Sequence, residues 1–441
     1  MSGSFAIVTL GCKTNQFESA AMSEKLVDAG YRQVKFESGA ELVIVNTCTV
    51  TAATDSQSRN LIRRARRLNP QARIVVTGCY AQIDPEPLAN LPGVSLLLGN
   101  REKADLLDHL ATGSSDRPIR VSDLRDGTPA EPLNLHSFAQ RSRAFVQIQN
   151  GCDAFCAYCI IPYARGGSRS VPLEAVVRQV ETLAATGYPE LVLTGIHIGQ
   201  YGLDLPERTD LLHLLQVLEQ SAFRGRLRLG SIEPTELSAE LIRYICAADW
   251  ICPHFHIPLQ AGDDMVLRRM NRHYSTADFQ RLLEEIRTLR PAAAIGMDII
   301  AGFPGESEEQ FEQTCRFLEA LPFSHLHVFP YSRREGTPAA RMPDQVPASR
   351  VKERAALLRE IGQSRYRDYC RQFVGGSLQV VFEGGVVGAM RKGLSENYLP
   401  VLVPAEDVGR KEKGLVAVEV VELADENLLG RPQKDVSEQV G

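Results

Sequence analysis

The stretch AFVQIQNGCDAFCAYCII, residues 144–161, runs from an apolar segment straight into Cys152, Cys156 and Cys159. Its first six residues read as a β-strand, so the three thiols occupy the loop at that strand's C-terminal end. Structural zinc and ordinary ferredoxin clusters take four protein ligands, and no fourth cysteine follows nearby. Three thiolates are enough to hold a four-iron cluster while leaving one iron without a protein ligand. A zinc loop completed by a distant histidine, or three unpaired thiols, are the alternatives that spacing alone leaves open.

Five further apolar runs follow: ELVLTG (190–195), RLRLGS (226–231), HFHIPL (254–259), AIGMDIIAG (294–302) and HLHVFPY (325–331). Helix-period segments separate them, including LEAVVRQVETLAATG (173–187) and TADFQRLLEEIRTL (276–289). Six β/α units predict a (β/α)6 partial barrel with its site at the strands' C-terminal ends, where the cysteine loop lies. There, an open iron suits chelation by the amino and carboxylate groups of S-adenosylmethionine. One electron into the sulfonium breaks a carbon–sulfur bond and yields a deoxyadenosyl radical.

Upstream, FAIVTLGC (5–12), ELVIVNTC (41–48) and RIVVTGC (73–79) are three β-branched runs, each ending in a cysteine. Such runs read as strands buried on both faces of a parallel sheet. Helical segments 15–30 and 55–70 connect them, and VSLLLGN (94–100) is a fourth strand, which makes an open α/β domain. Strand C-termini in such a sheet share one edge, so Cys12, Cys48 and Cys79 converge in space. A second three-thiolate cluster is the natural reading; small buried core cysteines are the alternative. Residues 113–136, rich in Gly, Pro and Asp, read as a linker. The chain from 350 to 371 reads as one helix, and SLQVVFEG, YLPVLVP and LVAVEVVEL as a β-rich tail. The expected division is 1–112, a linker at 113–137, 138–370 and 371–437.

At 441 residues with a net charge of −5, the chain exceeds one core and carries no global signature of nucleic-acid binding. The opening MSGSFAIVTLGC has one short apolar run and no basic region, so no signal peptide is expected, and no stretch approaches membrane-spanning length. A cytoplasmic location is expected, in which ten cysteines serve as ligands or core residues in place of disulfides.

The CxxxCxxC loop opening six β/α units resembles the radical S-adenosylmethionine superfamily. TLGCKTNQFES (9–19), VNTCTVT (45–51) and TGCYAQ (77–82) resemble the N-terminal domain of its methylthiotransferases. FHIPLQAGDDMVLRRMNRHY (255–274), MDIIAGFPGESEEQF (297–311) and HVFPYSRREGTPAA (327–340) resemble that family's barrel, and the tail its TRAM domain. The word LGCKTNQ is most similar to the branch acting on N6-threonylcarbamoyladenosine beside the tRNA anticodon. Branches acting on isopentenyladenosine or a ribosomal-protein aspartate are the rivals, and a non-catalytic zinc and RNA-binding protein is the rival outside the family. The resemblance implies two four-iron clusters, S-adenosylmethionine as radical source and methyl donor, a tRNA anticodon loop as partner, an electron donor such as a flavodoxin or ferredoxin, and a sulfur source. It also implies that the Tyr158 backbone meets adenine.

Other candidates rest on position. Gly195 and Gly199 permit close approach to a ligand or make a tight turn. Glu233 is placed to bond ribose hydroxyls, with Gln260 and Asp298 as further cofactor candidates. His256 reads equally as a core histidine, and Arg268, Arg269 and Arg272 as anion contacts or a solvated helix face. Cys246, Cys252, Cys315 and Cys370 show no ligand spacing. RNLIRRARRLNPQAR (59–73) has six arginines and no acid. Helical spacing puts Arg59, Arg63 and Arg67 on one face, read as phosphate-binding, and Leu61, Ala65 and Leu68 on another. From 350 to 371 seven basic residues oppose three acidic ones, whereas from 371 to 441 eight oppose eleven, a net of −3. The tail therefore lacks the bulk charge expected of an RNA-binding module.

Overall fold

The computed structural model describes residues 3–112, 119–124, 133, 135–138, 142–408 and 414–433. The first sheet contains β1 (Ser4–Thr9), β2 (Arg32–Gln33), β3 (Leu42–Thr47), β4 (Arg73–Gly78), β5 (Val94–Leu98) and β6 (Ile119–Arg120). Their order is β2-β1-β3-β4-β5-β6, with every pair parallel. The unbroken apolar runs follow from cover on both faces. Met22 and Leu26 of helix Lys13–Asp28 pack on Phe5, Ile44 and Val75, and Ile62 and Ala65 of helix Ala52–Leu68 pack on Val43, Val45 and Ile74. The two-residue strands β2 and β6 are too short to carry a period. Strand β6 falls inside the segment expected to be a linker and adds to the sheet edge; most of that segment lies outside the described residues.

The arginine helix has a different polarity from the expected one. Its buried positions are Asp55, Ser58, Ile62 and Ala65, while Leu68 is 38% exposed. The core-facing stripe is thus set by Ile62 and Ala65 together with two polar residues, and Leu61 and Leu68 flank it.

The second unit begins with β7 (Arg143–Gln147), a short antiparallel pair β8 (Gln149–Asn150) and β9 (Arg169–Ser170), then β10 (Glu190–Thr194) and β11 (Arg226–Leu229). It continues with β12 (His254–His256), β13 (Ala294–Ala301) and β14 (His325–Pro330). Parallel pairing joins β7, β10 and β11, and likewise β12, β13 and β14. Parallel bridges Leu227–Ile251 and Ser231–His256 connect the halves into one six-stranded arc. Capping boxes at Ser275 and Ser307 start two of its outer helices, Thr276–Leu289 and Glu308–Ala320.

The third unit is a closed barrel of β15 (Ser377–Val387), β16 (Met390–Ser395), β17 (Pro400–Pro404), β18 (Val416–Ala424) and β19 (Asn427–Pro432). Two of these strands, MRKGLS and NLLGRP, are not among the three runs expected of the tail, and each carries a glycine. The small barrel requires it: a Cβ on Gly393 would lie 2.3 Å from Val380 Cγ1, and one on Gly430 2.4 Å from Val418 Cγ1. Helix Ala348–Arg371 runs into this unit, where Tyr369 and Cys370 join its core.

Arg226 and Arg228, both buried at the N-terminal end of β11, dock the closed barrel under the arc. They donate to the carbonyls of Gln379, Leu394, Ser395 and Glu396 at 2.5–2.9 Å. Glu190, fully buried between them, accepts from both. Burial alone would raise its carboxyl, but the two guanidiniums and Arg143 outweigh that and hold it at about 2.

Candidate functional site

Cys12, Cys48 and Cys79 follow β1, β3 and β4, three adjacent strands of one parallel sheet, so its common edge gathers them. Asn15 ties that edge together by donating to Leu10 O at 2.8 Å and Thr47 O at 3.1 Å. Gly11, at φ +89°, lets the chain pass the Cys48 thiol: a Cβ there would sit 2.7 Å from Cys48 Sγ. Burial pushes the Cys48 thiol up to about 11, with the neighbouring Cys79 and Cys12 adding to the effect. Three neighbouring thiols at one sheet edge are a donor set suited to a cationic iron centre, which would draw them to thiolates.

The second triad lies on the loop after β8. Cys156 is buried and accepts the Cys159 N–H at its carbonyl, 2.9 Å. Burial, with Cys156 and Cys152 adding, pushes the Cys159 thiol up to about 12, so the same donor-set argument holds. His197 Nδ1 is 3.4 Å from Cys152 Sγ, and its Nε2 is 2.6 Å from Glu236. Burial lowers the imidazole's affinity for a proton, but those two partners prevail and raise it to about 10. Arg272 lies 3.3 Å from Cys156 Sγ and ion-pairs with Glu233. It is 6% exposed, so it is a built-in contact of this triad and not part of a solvated helix face. A cleft lined by Cys156, His197, Glu233, Glu236 and Arg272 opens here.

The triads adjoin. Helix Cys79–Ile83 packs on helix Ile161–Arg165, which directly follows Cys159 and Ile160. Asn100 Nδ2 reaches Ala164 O at 2.6 Å and lies 3.9 Å from Cys79 Sγ. Arg165, 1% exposed, crosses the seam to Glu18 at 2.8 and 3.1 Å and to Asn15 at 2.5 Å. Lys103 also pairs with Glu18, at 2.5 Å. Burial would raise the Glu18 carboxyl, yet Arg165 and Lys103 hold it at about 2. Farther along, Arg334 bonds Asp55 at 2.7 Å and Thr49 at 2.5 Å, just beyond Cys48.

A second, larger cavity of about 1020 Å³ fills the arc's interior. Its walls include Cys12, Lys13, Gly195, Ser231, His256, His327 and Tyr398, so all three units contribute.

The remaining candidates fall as follows. The space above Gly195 is taken by Ile198 and Gln149, each within 3.0 Å of a notional Cβ, and that above Gly199 by Glu236. Tyr158 packs its ring on the cluster of Ala157, Val266, Leu267 and Phe303. Gln260, at φ +70°, continues the β12–β13 ladder through its backbone and lines neither cavity. Asp298 Oδ1 lies 3.0 Å from His256 Nε2, giving that histidine a polar partner in the cavity wall. Arg268 is exposed, and Arg269 donates to Gln310 at 2.9 Å. Arg63 and Arg67 are exposed, but Arg59 is held by the Tyr80 hydroxyl at 2.7 Å, one residue beyond Cys79. Cys246, Cys252 and Cys370 are buried and Cys315 is partly buried, apart from both triads.

Lys13, His197, Arg165, Glu18 and Tyr398 were not singled out by sequence. Each is a lone polar residue whose neighbours lie far along the chain, 147 residues away for Arg165 and Glu18 and further still for Lys13 and Tyr398. Lys13 alone had a local signal, its place next to Cys12.

Residues 4–99 match the uncharacterized protein family UPF0004, and residues 146–318 the radical SAM superfamily. The threonylcarbamoyladenosine tRNA methylthiotransferase of Rickettsia prowazekii is 40% identical over 90% of both chains. That of Bacillus subtilis is 39% identical over 90% of this chain and 89% of its own. A tRNA-2-methylthio-N(6)-dimethylallyladenosine synthase from Pelotomaculum thermopropionicum is 33% identical over 86% of each. Among solved structures, a cobalamin- and cluster-bound radical S-adenosylmethionine methyltransferase from Kitasatospora setae superposes with a TM-score of 0.56 over 77% of each chain. At 19% identity that likeness is one of fold.

Proposed function

We propose, from the premise that the chain belongs to the methylthiotransferase family these relatives represent, that it adds a methylthio group to C2 of N6-threonylcarbamoyladenosine beside a tRNA anticodon. Cys152, Cys156 and Cys159 would hold one four-iron cluster and leave an iron for S-adenosylmethionine; Cys12, Cys48 and Cys79 would hold a second. When bound, these groups supply radical hydrogen abstraction and sulfur delivery.

The protein's own residues have distinct tasks. Arg272, paired to Glu233, sets positive charge against Cys156. Glu233 keeps acceptor capacity for ribose hydroxyls, at the edge of the cleft beside that triad. Arg165, Glu18 and Lys103 lock the seam so that the two triads keep a fixed separation. An anticodon-loop base, already unstacked in single-stranded RNA, reaches the arc's cavity at lower cost than a base in a duplex. Exposed Arg63 and Arg67 serve RNA phosphates. We assign the residues to units 1–112, 138–370 and 371–437, and infer an electron donor of the flavodoxin or ferredoxin type and a separate sulfur source. Among the described residues no helix is long and apolar enough to cross a membrane.

The observation that carries this reading is the adjacency of two cysteine triads across one domain seam, with Cys12 on the wall of the same cavity as Gly195 and Ser231. Mass spectrometry of tRNA nucleosides from cells with and without the gene tests it. The 2-methylthio form of threonylcarbamoyladenosine should vanish without the gene; its persistence, or loss of the dimethylallyl counterpart in its place, refutes the assignment.

A further inference from the structure

The cavity inside the arc has more positive charge than its walls neutralise. Lys13, the residue after Cys12, extends into it and places Nζ 5.5 Å from the centre of the Tyr398 ring. Among the described residues it makes no ion pair and no hydrogen bond. Arg143 and Arg228 approach the same ring to 5.9 and 4.9 Å. Arg228 is committed to Glu190 and Arg143 to Glu383, at 2.8 Å each, which leaves the lysine as the unpaired cation of the three at this ring among the described residues. Partly buried and set beside two guanidiniums at one ring, its ammonium is costly to hold there unless an anion joins it.

Tyr398 is itself held in a strained backbone conformation. It sits at φ +64°, a left-handed conformation that bulky residues rarely adopt and that costs on the order of 1–3 kcal/mol. The turn enforces this: Tyr398 N–H donates to Ser395 O at 3.0 Å, Leu399 N–H to Ser395 Oγ at 3.0 Å, and Asn397 Nδ2 to Ala292 O at 3.0 Å. The result is an aromatic ring in the cavity wall with its face toward three cations.

We propose that Lys13, backed by Tyr398 and Arg143, is the subsite for the carboxylate of the threonylcarbamoyl substituent. The inference rests on the functional reading above and adds what selects the substrate. That substituent ends in a carboxylate, whereas a dimethylallyl group is neutral and would leave the lysine unpaired. From the purine ring to the carboxylate it spans roughly 6 Å, two backbone-like units of about 3.3 Å. An anchor one residue from Cys12 therefore keeps the base close to the first triad's edge.

The test uses the reconstituted holoenzyme and fluorescent anticodon stem-loops carrying threonylcarbamoyladenosine, its methyl ester, or dimethylallyladenosine. Equilibrium binding is measured for the unaltered protein, Lys13→Met and Lys13→Arg, with iron content as the check on cluster loading. The unaltered protein should bind the acid at least 30-fold more tightly than the ester. Lys13→Met should bind both as weakly as the ester, and Lys13→Arg should recover part of the preference. An unaltered protein that does not distinguish acid from ester overturns the subsite, as does a Lys13→Met variant that keeps the preference. Failure of the function itself has a different signature: the unaltered enzyme methylthiolating the dimethylallyl RNA and not the acid would overturn both readings.

Discussion

Replacing Arg165 by methionine removes the guanidinium that bridges the two cysteine-bearing units while keeping a similar side-chain volume. Glu18, itself 1% exposed, then keeps only Lys103 as a charged partner. Holding this carboxyl at about 2, against 4.5 for a free glutamate, is the joint effect of Arg165 and Lys103, so the arginine accounts for part of it. Removing one partner of a buried pair is expected to cost ~3–5 kcal/mol. Because the folded-state pKa is depressed, the stabilisation is fully present above pH 4.5 and drains away as pH falls toward 2. The variant should be about 3 kcal/mol less stable at pH 7, with a flatter loss of stability on acidification between those limits. Urea unfolding of the apoprotein at several pH values, following the N-terminal and central units by limited proteolysis, measures both. A variant as stable as its parent at pH 7, or one with the parent's acid slope, would refute the argument that this network fastens the seam.

Alanine at Cys12, Cys48 and Cys79 together should leave a folded protein with half the iron, which still releases deoxyadenosine from S-adenosylmethionine but makes no methylthio product. Alanine at Cys152, Cys156 and Cys159 should abolish that release, and iron analysis with nucleoside chromatography distinguishes the two. Charge reversal at exposed Arg63 and Arg67 should weaken tRNA binding and lower the slope of log affinity against log salt by about one for each phosphate no longer neutralised. An unaltered slope would return this helix to a merely solvated surface. Gly195→Ala should cost about 1–3 kcal/mol in urea melts, because its methyl group would meet Ile198 and the Gln149 carbonyl oxygen within 3.0 Å.

Local chemistry made most of the architecture readable. Strands β1, β3 and β4 are apolar, β-branched runs that each precede a cysteine, and the apolar run ending in β8 leads into the loop of the other three, so topology assembles the triads. The misses have physical causes. Strands β16 and β19 are absent from the runs expected of the tail; each contains a glycine that a narrow barrel demands and that weakens the apolar pattern of a strand. The arginine helix buries Asp55 and Ser58 beside Ile62, because Thr49 and Arg334 supply partners for Asp55 and the Thr54 carbonyl one for Ser58, so an apolar stripe mislocates its inner face. Arg165 and Lys13 depend on partners brought near only by the tertiary fold. No local pattern separates an arginine that will be sealed in a seam from one that will stay in water.

The docking of the closed barrel by Arg226 and Arg228 bears on how freely such proteins can exchange parts. The carbonyls that meet these arginines belong to one module and the arginines to another, while Tyr398 looks up from the first into the chamber of the second. Removing the tail would strip acceptors from two buried cations and take away the chamber's underside. A grafted tail from an RNA-binding protein of another fold would have to reproduce both the carbonyl positions and the left-handed tyrosine. The C-terminal segment is separable as a stretch of sequence, but it is a wall of the central chamber, and inheritance would be expected to move the two together.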